Sequence, residues 1–141
     1  MNRVSITMEG LSENISFARV AATAFITPLD PSVEEVTEIK TAVSEAVTNA
    51  IIHGYPAEGT GRVHMTISAQ DKTVTIEVAD DGIGIADIDT ARRPLFTTKE
   101  ELERSGLGFT VMESFMDSVT VESTPGEGTK VTLTKTLASR E

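Results

Sequence analysis

The fold is decided by residues 31–54, PSVEEVTEIKTAVSEAVTNAIIHG. Pro31 suits the first helical position because its missing N–H would have no partner there, and Asp30 is placed to cap that end. Gly54 is a typical stop signal. Apolar side chains recur between these ends at the spacing of an amphipathic helix; they are Val33, Val36, Ile39, Val43, Val47, Ala50 and Ile51. The pattern predicts a long helix from about Pro31 to His53 with one buried face.

Two polar side chains share a face of this predicted helix. Glu45 and Asn49 are one turn apart, so they lie side by side. Asparagine is unfavourable inside a helix because its amide competes for backbone hydrogen bonds. The pair is either part of a solvated polar face or a metal-ligating amide beside a general base. Oxygen ligands of this kind suit Mg²⁺.

The remaining pattern surrounds this helix with strands and two further helices. Helical spacing predicts one helix over residues 12–26, with Ser12 as its N-cap, and another over residues 108–117. The first of these is expected to bury a stripe of apolar side chains: Phe17, Val20, Ala21, Ala24 and Phe25. Alternating apolar residues predict strands over about residues 4–8, 63–69, 74–78, 119–121 and 131–133.

Short turns between the strands favour antiparallel pairing. The elements therefore predict an α+β fold, a two-layer sandwich in which a mostly antiparallel mixed sheet is covered on one face by helices. A length of 141 residues predicts a single domain over residues 1–141.

Composition excludes several classes of function. The chain has 12 basic and 22 acidic residues and a formal net charge of -10, so it repels phosphate backbones and direct nucleic-acid binding is not expected. It has no cysteine, which excludes disulfides, thiolate metal sites and cysteine nucleophiles. Neither a membrane-spanning run nor a signal sequence is evident, so we expect a cytoplasmic protein with no membrane partner.

Residues 80–85, DDGIGI, directly follow a predicted strand. They fit an ordinary turn, since Asp and Gly are turn residues. They also fit a ligand site, because Gly82 and Gly84 permit close approach to the backbone and Asp80 could accept a hydrogen bond from an exocyclic amine. A dinucleotide-binding fingerprint is excluded because its third glycine is absent.

Residues 105–110, SGLGFT, open the last predicted helix. Gly106 and Gly108 leave backbone N–H groups free to hold an anion, which the helix dipole favours. The Walker A pattern occurs nowhere in the chain, so this is not a P-loop. Upstream, Lys99 and Arg104 belong to a loop at about residues 85–105, which is either a solvated charged loop or a cationic lid over polyphosphate. Thr129 follows a glycine-rich turn and could place its hydroxyl near Asp80.

The pieces occur together and in order: Glu-x3-Asn on a helix, Asp-x-Gly-x-Gly after a strand, a charged loop, Gly-x-Gly on a helix, and Gly-Thr on a strand. This set resembles the GHKL family of ATP-binding domains, which have the Bergerat fold. Residues 44–55, SEAVTNAIIHGY, 94–99, PLFTTK, and 101–110, ELERSGLGFT, are similar to the anti-sigma factor serine kinases of spore-forming bacteria. The likeness covers nearly the whole chain.

The resemblance implies a role for each catalytic and metal-binding residue. Asn49 would ligate Mg²⁺ that bridges the phosphates of ATP. Glu45 would act as the general base or orient the attacking hydroxyl, and Arg104 would contact the terminal phosphate. Phosphoryl transfer depends on positioning and charge neutralisation, which this set can supply.

The resemblance also implies the residues that hold ATP or ADP. Asp80 would recognise the adenine amine, with Gly82 and Gly84 passing close to the base and Thr129 lying behind it. The phosphates would be held by the second glycine pair and by a lid cation: Gly106, Gly108 and Lys99.

The partners implied are a sporulation sigma factor, sigma-F, which a homodimer holds inactive, and an anti-anti-sigma protein that is phosphorylated on serine. Arg19 matches a family arginine that contacts both partners, although from the residues alone it fits a solvated helix position. Ile15 stands where the family has a glutamate, so contacts on that face differ.

Three alternatives stay open. A histidine kinase catalytic domain would need an acceptor histidine, and none precedes the long helix. The second is a stress-response anti-sigma kinase for another sigma factor. The third is a nucleotide-gated module that binds a sigma factor without transferring phosphate, against which Glu45, Asn49 and Arg104 argue.

Overall fold

We describe a computed structural model of the chain, covering residues 1–54, 61–82 and 107–138. Its strands are β1 (Asn2–Glu9), β2 (Arg62–Gln70), β3 (Thr73–Asp80), β4 (Ser118–Thr124) and β5 (Gly128–Thr136). Its helices are α1 (Asn14–Ile26), α2 (Val33–Gly54) and α3 (Leu107–Phe115), with a short 3₁₀ turn at Thr27–Leu29.

The strands form one sheet in the order β1-β2-β3-β5-β4, and each neighbouring pair is antiparallel. The predicted α+β sandwich is confirmed, and its sheet is antiparallel across all the strands described. Alternate side chains of the central strands are buried beneath the helices; they include Val63, Met65, Ile67, Val74, Ile76 and Val78.

Helix α2 is the centre of the helical layer. It packs against β2, β3 and β5, while α1 and α3 pack on it. Its predicted stripe is buried at Ile39, Val43 and Val47, but Val33 is 84% exposed because it lies in the first turn, before the helix reaches the core. Among the helices of the described segments, none is both long and apolar enough to cross a membrane.

The buried stripe predicted for α1 is wrong at three of its five positions: Ala21 and Phe25 pack half-buried against the core, but Phe17, Val20 and Ala24 are exposed. Phe17 and Val20 are 55% and 66% exposed, whereas Ala18, Ala22 and Ile26 are fully buried. Apolar residues occur around most of this helix, so periodicity alone does not single out the inner face. The small alanines let α1 approach its neighbours closely. The helix also begins at Asn14 with Glu13 at the N-cap position, rather than being capped by Ser12.

The predicted cap of α2 at Asp30 is also wrong. Asp30 has a left-handed backbone (φ 55°) and ends the 3₁₀ turn. The cap is a reciprocal pair instead: the Glu35 N–H donates to Ser32 Oγ (3.0 Å), and the Ser32 N–H donates to Glu35 Oε1 (2.8 Å). The Ala138 N–H donates to the other oxygen of Glu35 at 2.8 Å. This carboxylate therefore joins the start of α2 to the chain just after β5.

Candidate functional site

Glu45 and Asn49 of α2 meet the first turn of α3. A Cβ atom on Gly108 would lie 3.2 Å from Glu45 Oε2, 3.0 Å from Asn49 Nδ2 and 3.3 Å from Asn49 Oδ1. Glycine therefore leaves room for both side chains beside the N-terminal end of α3. The structure thus brings together two motifs that are far apart in the sequence.

Two buried polar side chains stand out in an otherwise apolar core. Over residues 1–52, 61–82 and 108–138, for which burial is described, the buried polar or charged residues are Asn49 (8% exposed) and Asp80 (6% exposed). A buried amide without a hydrogen bond costs on the order of 1–3 kcal/mol. Within the same residues, no hydrogen bond to the side-chain amide of Asn49 is found. An amide buried in this way is suited to binding a ligand.

The Asn49 oxygen fits Mg²⁺, since hard cations take amide and carboxylate oxygens together with phosphate oxygens. Across the described part of the chain, no group of three or more His, Cys, Asp and Glu side chains is arranged to hold a metal ion. Among the described residues, Asn49 is therefore the candidate ligand for a cation at this position.

The carboxyl group of Glu45 is partly withdrawn from water. Burial raises its pKa above the ordinary value of 4.5, and within the described residues no interaction opposes this rise. A carboxylate with a raised pKa is a better proton acceptor than an exposed one. Its position beside Asn49 and its protonation chemistry both fit a general base.

Asp80 lies at the end of β3, where it is enclosed by backbone from two strands. Burial raises its pKa and the charge of Asp81 adds to the rise, while hydrogen bonds from the N–H groups of Gly82 and Thr129 oppose it. The Gly82 N–H lies 2.9 Å from Asp80 Oδ1. One carboxylate oxygen thus closes the local turn, so the turn and ligand interpretations of this motif are compatible.

Thr129 lies directly opposite Asp80 in the pairing of β5 with β3. The predicted placement of Thr129 near Asp80 requires these two strands to be neighbours, and they are. Its hydroxyl lies 2.7 Å from Ser123 Oγ on β4. A Cβ on Gly128 (φ +108°) would lie 2.1 Å from the Asp80 carbonyl oxygen, so only glycine fits there. The backbone beside Asp80 is therefore tightly packed.

The other predicted residues are only partly located. Arg19 lies on α1, where its guanidinium donates to Ser16 Oγ at 2.9 Å. The rest of the predicted site falls outside the described residues: Gly84, Lys99, Arg104, Gly106 and the loop at 85–105.

Sequence reasoning missed two features of the site. Ser123 is linked to Thr129 by the register of β4 and β5, which a correct pairing of these strands would have indicated. A cavity of about 840 Å³ runs between α1 and α2 and reaches Glu45. Lys40 lines that cavity together with Arg19. Nothing in the helical pattern distinguishes Lys40 from an ordinary solvated residue.

The comparisons with known proteins agree with this geometry. Residues 8–135 match the family described as the histidine kinase-like ATPase domain. The anti-sigma F factor of Bacillus licheniformis is 55% identical over 137 residues, which are 97% of this chain and 94% of that protein. The anti-sigma F factors of Bacillus subtilis (strain 168) and Oceanobacillus iheyensis are 53% and 56% identical over the same shares.

Two solved structures share the fold. The structure of the RsbU and RsbW domains of Rv1364c from Mycobacterium tuberculosis aligns with a TM-score of 0.72 and 19% identity, over 99% of this chain and 34% of that one. The catalytic domain of the histidine kinase ThkA aligns with a TM-score of 0.59 and 19% identity, over 97% of this chain and 99% of that one.

Proposed function

The chain belongs to the histidine kinase-like ATPase family, as a relative of the anti-sigma F factors, and on this premise we propose that it is an anti-sigma factor that is also a protein serine kinase. It binds a nucleotide and has a sigma factor as its partner. In our proposal the sigma factor is sigma-F, and the phosphoryl group of ATP passes to a serine of an anti-anti-sigma protein.

The observation that carries this proposal is the meeting of Glu45, Asn49 and Gly108. A proton acceptor and a cation ligand lie at the start of a helix, where backbone N–H groups and the helix dipole favour phosphate. A purely structural cluster would not need a carboxylate with a raised pKa beside a buried amide that has no partner within the described residues.

The proposed transfer uses these groups as follows. Glu45 accepts the proton of the serine hydroxyl as the serine oxygen forms a bond to the γ-phosphorus. The bond between that phosphorus and the β,γ-bridging oxygen breaks, and ADP leaves. Asn49 would hold Mg²⁺, which when bound neutralises charge on the phosphates. Arg104 is proposed to contact the terminal phosphate, and Lys99 and Gly106 to help hold the nucleotide.

The adenine end of the nucleotide is assigned to Asp80. A carboxylate accepts a hydrogen bond from the exocyclic amine of adenine, whereas the corresponding oxygen of guanine would repel it. This assignment is supported by the burial of Asp80 at the end of β3. Gly82 follows it two residues later, and Thr129 lies opposite it on β5. Gly84 is proposed to pass close to the base.

A homodimer is part of the proposal. Strand β1 lies at one edge of the sheet, where Val4 is 41% exposed. Phe17 on α1 is 55% exposed. Exposed strand edges with apolar neighbours favour pairing with a second chain. Arg19 is proposed to contact the partner proteins, and the cytoplasm is the proposed location because sigma factors act there.

The test is incubation of the chain with Mg²⁺, ATP labelled at the γ-phosphate, and the purified anti-anti-sigma protein of the same organism. We expect label on a serine of that protein, and none when that serine is replaced by alanine. Formation of a nucleotide-dependent complex with sigma-F but no label on the acceptor would contradict the kinase and leave a pure binding module.

A further inference from the structure

The face of the sheet beneath the helices ends in a polar row. Asp80 on β3 is paired with Thr129 on β5, and Thr129 is paired in turn with Ser123 on β4. Directly paired residues of neighbouring strands project to the same side of a sheet, so the three side chains share one face. The adjacent row on this face consists of valines, which are Val78, Val131 and Val121. Polar side chains thus replace the apolar row at the end of β3 where Asp80 is buried.

The hydroxyl of Ser123 makes two contacts at once. It lies 3.0 Å from the carbonyl oxygen of Gly128, which can only accept a hydrogen bond, and 2.7 Å from Thr129 Oγ1. A serine hydroxyl has a single proton, so both contacts are hydrogen bonds when Ser123 donates to Gly128 and accepts from Thr129. The proton of Thr129 then points toward β4, on the opposite side of β5 from Asp80. Thr129 Oγ1 is left as an acceptor for a further group.

This arrangement places two acceptors side by side where the proposed function puts the base. A cavity of about 290 Å³ lies against this end of the sheet, and Asp80, Thr129 and Ser123 all line it. The exocyclic amine of adenine carries two protons, whereas guanine has a carbonyl oxygen at the same ring position. The amine can donate to both acceptors. The carbonyl oxygen would meet the Asp80 carboxylate and the Thr129 oxygen with no donor, which a polar site rejects strongly.

We propose that Ser123 is a positioning residue for base selection: by taking the proton of Thr129 it keeps that threonine an acceptor, so that the site admits a purine with an amine at this position and rejects one with an oxygen. This inference rests on the proposed placement of adenine at Asp80 and adds a specificity-determining residue to it. Ser123 acts through Thr129 and is assigned no contact with the phosphates.

The experiment measures dissociation constants of Mg-ADP and Mg-IDP by calorimetric titration of the full chain. The inosine nucleotide carries an oxygen in place of the amine of adenine, and neither diphosphate can be consumed by phosphate transfer. For Ser123→Ala we expect ADP to bind about three- to tenfold more weakly, and the preference for ADP over IDP to fall about tenfold. The reason is that the Thr129 hydroxyl becomes free to turn its proton toward the oxygen of inosine. Ser123→Thr keeps a hydroxyl and should retain the preference within about twofold.

The matched control is Ser5→Ala. Ser5 Oγ lies 3.2 Å from Thr66 Oγ1, so this variant removes an exposed serine–threonine pair of the same kind between β1 and β2. It should leave both dissociation constants at the wild-type values. A double-mutant cycle with Thr129→Val tests the route of the effect: in a chain that already carries Thr129→Val, Ser123→Ala should cause no further loss of preference.

A merely structural role for Ser123 gives a different result. Equal weakening of ADP and IDP binding by Ser123→Ala, or no change in either constant, would overturn the inference. So would a loss of preference in Ser123→Thr as large as in Ser123→Ala, or a further loss when Ser123→Ala is combined with Thr129→Val.

The proposed function fails separately. If wild type binds neither diphosphate, or binds both equally, the placement of adenine at Asp80 and the inference about Ser123 fall together. If wild type prefers ADP and Ser123→Ala keeps that preference, only the inference about Ser123 falls.

Discussion

Glu35 and Glu45 belong to the same helix, and their carboxylates have opposite environments. For Glu35, burial alone would raise the pKa, but hydrogen bonds from Ser32 and Ala138 and the charge of Lys135 outweigh it, so the pKa is lowered. For Glu45, burial raises the pKa, and no group in the described segments opposes this rise. The environment of the first carboxylate favours its charged form, whereas burial disfavours the charged form of the second.

The difference supports our proposal that the first half of α2 is structural and the second half functional. Near its start, Ser32, Glu35 and Ala138 satisfy one another, and Glu38 pairs with Lys135 at 3.4 Å. Further along, Glu45 and Asn49 approach Gly108 without such partners in the described residues. Polar groups that lack partners within the described part of a fold are candidates for a binding or reacting site.

The largest effect should come from replacing the functional carboxylate. Glu45→Gln removes the proton acceptor, so phosphate transfer should fall by roughly 10²–10⁴-fold. Stability should be unchanged or higher at neutral pH. Because burial raises the pKa of Glu45, the folded protein favours the protonated carboxyl, and this contribution to stability is lost as pH rises through the raised pKa. At neutral pH the charged carboxylate is unfavourable in the folded protein, and glutamine removes that charge. Transfer assays and thermal unfolding of the nucleotide-free protein measure the two quantities.

The matched variant is Glu35→Gln, which should keep transfer and lose stability. Equal loss of transfer in both variants would remove the contrast between the two carboxylates.

The second effect concerns Asp80. Asp80→Asn should weaken ATP binding by roughly 10- to 100-fold, because hydrogen bonds to charged groups contribute about 1.5–3 kcal/mol. Since the pKa of Asp80 is raised, its carboxylate takes up a proton at a higher pH than an exposed aspartate does. As the solution is acidified, the affinity of the wild type for ATP should therefore begin to fall at that higher pH. Calorimetric titration at several pH values measures both. The control, Asp81→Asn, changes an exposed neighbour and should retain affinity; the same loss in both would argue against Asp80 as the reader of adenine.

The third effect tests the contact between α2 and α3. Gly108→Ala would place a methyl group 3.0–3.3 Å from Asn49 and Glu45, so both side chains must shift. We expect affinity for Mg-ATP and the rate of transfer each to fall about tenfold, since crowding of this kind costs on the order of 1–3 kcal/mol. Ser114→Ala, on the exposed side of the same helix, is the control. Normal activity in Gly108→Ala would show that this contact does not shape the site.

The smallest effect lies at the structural end of α2. Ser32→Ala and Glu35→Gln should each lower the free energy of unfolding by about 1 kcal/mol at neutral pH, the usual contribution of a helix cap. Because the pKa of Glu35 is lowered, its stabilisation is present above the ordinary value of 4.5 and is lost as pH falls through the folded value. Urea unfolding at several pH values from neutral to acidic measures the free energy of unfolding of wild type and Glu35→Gln. A difference between the two that does not change with pH would contradict this prediction.

The sequence predicted the parts of this molecule whose signals are local. The strands and α2 have strong apolar periodicity, and the spacing of Glu45 and Asn49 places them on one face whatever surrounds the helix. The inner face of α1 was missed because it consists mainly of small alanines, Ala18 and Ala22, while larger apolar side chains such as Phe17 are exposed.

Contacts between elements that are far apart in the sequence could not be predicted in the same way. That Gly108 lies against Glu45 depends on how α3 packs on α2, and that Lys40 faces Arg19 depends on how α1 packs there. The link between Glu35 and Ala138 joins opposite ends of the chain. None of these contacts leaves a periodic trace in the sequence.

The central claim is that Glu45, Asn49, Asp80 and Gly108 line one nucleotide site. A crystal structure with Mg²⁺ and a non-hydrolysable ATP analogue tests it most directly. The account predicts an adenine amine about 3 Å from the carboxylate of Asp80, with the phosphates of the same molecule at Gly108 and the cation on Asn49. A nucleotide bound in another cavity, or one that reaches Asp80 with its phosphates pointing away from α3, would contradict it.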